Sequence, residues 1–265
     1  MEQTLSTEEF TSFKNQLIEQ NKSFTLIETT YTKRVKLNKS NFIFSDDKRD
    51  YNELKLINLV KKDCQKFCDE NKIKEIHETE IDFYKFYSKN LFDNQYKYVW
   101  KIDLSSAYWS YAINNKIISD ETLNFFESTK NQFFNGSKKA RLKALGSCAT
   151  KKLKSNYENG KLIGYPSLIY NEVLRNLYLN ICDEIDRLMK VIATKFNKHT
   201  IYYYWDCLFI ENKIDPQEII SFINQFNFKA TCNKSVITAQ TKYLPQVQDV
   251  ITGINYPINK KDICL

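Results

Sequence analysis

Apolar residues recur at intervals of three and four along some stretches of this 265-residue chain and alternate with polar ones along others. That contrast sets the expected elements. Residues 6–20 open on Ser6-Thr7-Glu8-Glu9, whose hydroxyl and carboxylates suit a helix N-terminus, and predict a short helix. Phe24 to Val35, rich in Thr, Ile and Tyr, predicts a strand, and Asn41 to Phe44 a shorter second one. From about Asp47 to Asn71, Leu54, Leu56, Ile57, Leu59, Val60, Phe67 and Cys68 follow helical spacing, which predicts a long helix with one buried stripe.

Tyr96 to Leu104 reads as a buried strand, followed by a turn and helix over Ser105 to Asn114. A helix over Ser119 to Phe134 is capped by Ser119-Asp120-Glu121 and ended by Asn135-Gly136. Over Lys138 to Lys154, Leu142, Leu145, Ala149 and Leu153 fall on one helical face and Lys139, Lys143, Ser147, Thr150 and Lys154 on another. Pro166 is expected to open the longest helix, running to about Asn197, before a hydrophobic strand from Thr200 to Ile210 that carries Asp206. A helix at about Asp215 to Phe226 and a β-rich stretch from Lys229 to Tyr243 follow, and the tail beyond Pro245 has no clear period. This order implies an α+β fold, a sheet covered by helices on one face, with Asp103 and Asp206 on neighbouring strands.

Composition narrows the class. A hydrophobic content of 42% supports a substantial core, and five glycines and four prolines favour long elements over a loop-rich sandwich. Seven cysteines are scattered without metal-finger spacing, as suits a reducing interior; Cys64 and Cys68 read as two buried thiols and His77 and His199 as structural. No apolar run reaches membrane-spanning length, so a cytoplasmic protein is expected, in the host cytoplasm if it is viral. The net charge of +7 is local: between Ser128 and Tyr157 no acidic residue occurs, while Lys130, Lys138, Lys139, Arg141, Lys143, Lys151, Lys152 and Lys154 do. Such a one-signed stretch suits a polyanion.

The candidate chemistry rests on two carboxylates. Asp103 in Lys101-Ile102-Asp103-Leu104 and Asp206 in Tyr204-Trp205-Asp206-Cys207-Leu208-Phe209-Ile210 each interrupt an apolar run, where a lone ionised group is costly without a cation or donors. Asp103-Leu104-Ser105-Ser106-Ala107-Tyr108-Trp109-Ser110 resembles the first motif of family B DNA polymerases, with Trp109 where proline is usual. Tyr203-Tyr204-Trp205-Asp206-Cys207 resembles the third, with Asp206 on its second aspartate and Tyr204 in place of its first. The middle motif is approximated by Lys143-Ala144-Leu145-Gly146-Ser147-Cys148-Ala149-Thr150, which keeps the lysine but not the Asn-Ser and Tyr-Gly signatures. Thr238 to Leu244 resembles the Lys-x-Tyr motif, with Tyr243 alone in register.

The resemblance covers residues 96–245 and implies a minimal, phage-like relative without an exonuclease. Residues 96–118 and 156–245 would form the palm and 119–155 a helical fingers-like hairpin. Residues 1–95 would form a small mixed α/β region and 246–265 a tail. It implies transfer of deoxynucleotides onto a primer through two magnesium or manganese ions held by Asp103, Asp206 and the Leu104 carbonyl. Tyr108, Lys139, Arg141 and Lys143 would meet the nucleotide. Lys138, Lys151, Lys152, Lys154, Lys242 and Tyr243 would meet a DNA primer-template, with further replication proteins or self-association as added partners and no membrane. Two alternatives stand beside this one: a non-catalytic nucleic-acid-binding protein on a degenerate palm, and a reverse-transcriptase-like palm.

Overall fold

The computed structural model describes residues 2–29, 32–45, 51–86, 98–241, 244–249 and 255–257. Among them the chain is α+β and divides into two compact units, residues 1–72 with 120–178 and residues 73–119 with 179–265. Residues 120–178 fall in the same unit as the N-terminal residues.

The first unit holds β1 (Glu2–Leu5), α1 (Thr7–Glu19), β2 (Phe24–Glu28), β3 (Lys33–Leu37), β4 (Ser40–Phe44) and α2 (Tyr51–Glu70). The second contributes β5 (Tyr84–Phe86), β6 (Val99–Leu104) and α3 (Ala107–Asn114), after which α4 (Asp120–Thr129), α5 (Ser137–Gly146), β7 (Lys152–Glu158) and β8 (Lys161–Ile169) return to the first. Then come α6 (Glu172–Lys195), β9 (Thr200–Tyr204), β10 (Cys207–Glu211), α7 (Pro216–Asn224), β11 (Ala230–Thr241), β12 (Leu244–Asp249) and β13 (Asn255–Pro257).

In the first unit the six strands run in the order β1-β4-β3-β2-β7-β8, antiparallel apart from the β1–β4 pair. One face of this sheet is covered by α1: Phe10 and Leu17 pack on Phe24, Leu26, Val35 and Phe44, and the Phe24 and Tyr157 rings stack at 4.4 Å. The Ser6 cap expected at α1 is present as a capping box, Glu9 Oε2 accepting the Ser6 N–H at 2.9 Å. α2 packs on α4 and α5, burying Leu56, Val60, Ala140, Ala144 and Leu145.

The second unit has a seven-stranded antiparallel sheet, β13-β12-β11-β6-β10-β9-β5. Ile102, Leu104, Tyr203, Leu208 and Ile210 form one of its faces and pack on Ile185, Met189 and Ile192 of α6 and Ile219 and Ile223 of α7. Period-2 alternation puts Lys101, Asp103, Cys207 and Phe209 on the opposite face.

Several boundaries differ from the expected ones, each for a local reason. Phe24 to Val35 is two strands, β2 and β3, and the tail beyond Pro245 adds β12 and β13. The predicted helix over Lys138 to Lys154 stops at Gly146, passes through a 3-10 turn at Ser147–Ala149 and re-emerges as β7, so Lys152 and Lys154 are strand residues. Its core face is Ala140, Ala144 and Leu145, while Leu142 and Leu153 are exposed. Pro166 lies in β8, not at a helix start; at a sheet edge its missing N–H costs no ladder bond. The helix begins at Glu172 instead, capped by Asn171, whose Oδ1 accepts the Leu174 N–H at 3.0 Å. Thr200 to Ile210 is a hairpin whose two-residue turn is Trp205-Asp206.

Candidate active site

β6 lies between β10 and β11, so Asp103 is directly opposite Cys207 on one side and Thr231 on the other. Asp206 is in the hairpin turn, and the Leu104 N–H donates to the Asp206 carbonyl at 2.9 Å. Register and hydrogen bond together bring the strand end carrying Asp103 against the turn carrying Asp206. Both aspartates are half-buried.

The electrostatics follow the same geometry. The Cys207 thiol is held well above its usual pKa, first by burial and then by the charges of Asp103 and Asp206, with Lys101 opposing them. Both carboxylates therefore act on one buried sulfur.

Backbone strain is concentrated beside these two residues. Among the described residues eight non-glycine positions have positive φ, and four of them are asparagines, which tolerate it. Of the other four, Ser106 (φ 55°) follows the Asp103 strand, Trp205 (φ 56°) precedes Asp206, and Phe83 (φ 60°) accepts the Trp205 N–H on its carbonyl at 2.6 Å. The Phe83 and Trp205 rings stack at 4.4 Å. A bulky side chain in this region costs roughly 1–2 kcal/mol, so the surroundings must over-determine the turn. Ser106 is held likewise: its carbonyl accepts the Ser110 N–H at 2.8 Å, the preceding Ser105 N–H donates to the Lys229 carbonyl at 2.7 Å, and Ser110 Oγ donates to the Ser105 carbonyl at 3.1 Å.

Beneath the hairpin, the hydroxyl of buried Tyr203 donates to Asp186 Oδ1 at 2.7 Å. Lys190 Nζ lies 2.7 Å from the other oxygen of Asp186 and 2.8 Å from Asp82. Burial works to lower the Lys190 pKa, but its two carboxylates outweigh that and raise it. This chain ties α6 to the strand that leads into the turn. Sequence reasoning misses it because Asp186 and Lys190 read as an ordinary charged i, i+4 helix pair.

Tyr108, in the first turn of α3, is half-buried and packs against the core of the second unit. The cations expected at the nucleotide all belong to the first unit. Lys143 Nζ is 2.7 Å from Glu53 Oε1, the two side chains being 24% and 10% exposed, so it joins α5 to α2. Arg141 lies over the Phe126 ring at 5.2 Å, and partial burial lowers its pKa. Lys138, Lys139, Lys151 and Lys152 are exposed and Lys154 is half-buried. Lys242 and Tyr243 lie outside the described residues.

Among the described residues no group of three or more His, Cys, Asp or Glu is placed to hold a metal, and no helix is long and apolar enough to cross a membrane. No protein-family model and no curated protein matches the chain.

Proposed function

We propose that the second unit is the palm of a nucleotidyltransferase similar to a minimal family B DNA polymerase, adding deoxynucleotides to a primer. The observation that carries the reading is the apposition of Asp103 and Asp206 through the Cys207 pairing and the Leu104–Asp206 backbone bond, beside three strained residues. Two carboxylates suit magnesium, which takes one or two of them and fills its octahedron with water and substrate phosphates. Asp103, Asp206 and the Leu104 carbonyl would hold the ions, which when bound supply charge stabilisation to the attacking and leaving oxygens. The protein's part is positioning: the rigid turn fixes Asp206, and Tyr108 at the start of α3 borders the nucleotide. Lys139 and Arg141 are triphosphate contacts that the resemblance alone implies, and Lys143 is engaged by Glu53.

Purified protein with a labelled primer-template, deoxynucleotides and Mg2+ or Mn2+ tests this directly. Extension is expected, and Asp103→Asn should abolish it in a protein that melts as the wild type does. Full extension by that variant would sink the assignment. An RNA template run in parallel separates the reverse-transcriptase-like alternative.

A second reading has specific support of its own. Tyr204 stands in place of the first aspartate of the motif it resembles, and Lys143 is engaged by Glu53. A palm that binds nucleic acid without turnover accommodates both. It predicts salt-sensitive binding and no metal-dependent extension.

A further inference from the structure

The first sheet has a second face, opposite the one that α1 covers. On β3, buried Val35 faces the α1 core, so its neighbours Arg34 and Lys36 point the other way. On β7, Ser155 is buried and pairs with core residue Leu26, so Lys152, Lys154 and Asn156 share the side of Arg34 and Lys36. β2 runs between the two rows and contributes only uncharged Thr25 and Ile27 to this face: Lys154, Ile27 and Arg34 form one cross-strand row, and Asn156, Thr25 and Lys36 the next. Neighbouring strands are about 4.8 Å apart and alternate residues about 7 Å apart, so the cations frame a shallow tract roughly 10 Å wide.

The tract is one-signed. Lys152 is depressed by burial and then by Lys61 on α2, Arg34 and Lys36, and no carboxylate acts on it. None of the five cations Arg34, Lys36, Lys61, Lys152 and Lys154 makes an ion pair among the described residues. An outside anion would relieve their mutual repulsion. Beside them β8 pairs with β7 through an irregular register, Lys154 facing Ser167 and Asn156 facing Ile163. Tyr165, in the extra residues between, is 97% exposed. A ring so fully offered next to a row of cations combines the two features that bind unpaired nucleic-acid strands, charge along the backbone and a face for a base.

We propose that this face of the first unit binds single-stranded nucleic acid, with phosphates on Arg34, Lys36, Lys61, Lys152 and Lys154 and a base stacked on Tyr165. The site deepens the reading of the chain as a nucleic-acid enzyme but uses none of its metal ligands. Binding is therefore measured in EDTA without nucleotides, where loss of this site and loss of the two-aspartate site are separately visible.

The probe is a fluorescein-labelled 20-mer of thymidylate, followed by anisotropy with the full chain across a potassium chloride series. Five phosphate contacts predict that log K falls against log salt with a slope of about −3.5. Replacing Arg34, Lys36, Lys152 and Lys154 together by Gln should flatten the slope to about −0.7 and weaken binding at low salt more than about tenfold. Tyr165→Ala should weaken binding about five- to hundredfold with the slope unchanged, because stacking releases no counterion. A control carrying Lys22→Gln, Lys116→Gln, Lys198→Gln and Lys213→Gln makes the same change in net charge on exposed lysines elsewhere and should keep the wild-type slope. Equal losses in the control and the tract variant would reduce the effect to net charge and overturn the proposal. So would tighter binding of a 20-base-pair duplex than of the single strand, or wild-type affinity in Tyr165→Ala.

Discussion

Asp206 in the second unit and Lys143 in the first are each a single charge set in a patterned segment, yet their surroundings are opposite in kind. Asp206 is displayed by a turn held in a costly conformation, with Trp205 at φ 56° and stacked on Phe83. Lys143 is drawn inward, its ammonium 2.7 Å from a carboxylate that is 10% exposed. A helix cation beside another helix can meet a carboxylate on the facing turn, as Lys143 meets Glu53. The difference teaches that a charged residue reads as functional when local strain presents it, and as structural when packing neutralises it.

The comparison breaks most sharply in activity. Asp206→Asn should lower primer extension by at least about a hundredfold, since it removes charge that the proposed transition state needs, while urea denaturation stays near wild type. Lys143→Gln should do the reverse and leave extension per folded molecule within about tenfold. If Lys143→Gln instead abolishes extension in a stably folded protein, the cation is catalytic and its pairing with Glu53 is only a resting arrangement.

In stability the order inverts. Removing Lys143 strands the Glu53 carboxylate at a nearly dry helix interface; a fully buried pair costs about 3–5 kcal/mol to break, and with the lysine side chain 24% exposed about 2 kcal/mol is expected. Replacing the pair as Glu53→Leu with Lys143→Met should recover most of that loss. Urea midpoints of the two single variants and the double variant decide it, and single variants within 0.5 kcal/mol of wild type, at the level of ordinary surface substitutions, would show the pair contributes nothing.

Glycine substitutions at two left-handed residues sharpen the reading of the turn. Lys116, just past the end of α3, has φ 55° and is exposed, so Lys116→Gly should stabilise by about 1 kcal/mol, as glycine does at a helix end. Trp205→Gly relieves similar strain but loses the Phe83 stack, worth about 0.5–1.5 kcal/mol, so its melting temperature should barely move. Extension should nonetheless fall, because a loosened turn no longer fixes Asp206. Trp205→Gly with unimpaired extension would mean that the strain serves nothing in catalysis.

How much of this was legible beforehand depends on which interactions are local. The strand carrying Asp103 and the apolar runs that flank Asp206 could be read, because those runs are long and their adjacency follows from fold class. The hairpin turn could not: Trp205-Asp206 lacks the Gly or Asn that signals one, and tertiary contacts from Phe83 hold it instead. Lys139 to Lys154 keeps helical spacing past the point where Gly146 and the Ser147–Ala149 turn convert it to a strand, so Lys152 and Lys154 end on a sheet face. The partners of those lysines had a signal that went unused, the alternation Lys33-Arg34-Val35-Lys36-Leu37, which puts Arg34 and Lys36 on one side of any strand. That β7 joins the same sheet through β2, with Lys152 and Lys154 on this side, is a long-range pairing, and no local pattern encodes it.

The smallest expected effect is one the two units should share. Cys68 in the first and Cys232 in the second are both half-buried, and burial pushes each thiol up to about 11, at Cys68 with help from Asp69 and Cys148. Because folding favours the neutral form, each thiol's contribution to stability is complete below its unfolded pKa of 9.0 and is lost as pH rises through about 11. At pH 8 the native thiolate fraction is then about a hundredfold below that of the unfolded chain, and alkylation by iodoacetamide should slow in proportion. Mass mapping of alkylated peptides, native against urea-unfolded, reports the two sites separately. Native protection at Cys232 without protection at Cys68 would show that the two units do not screen their half-buried thiols alike, and that α2 opens where Cys68 sits.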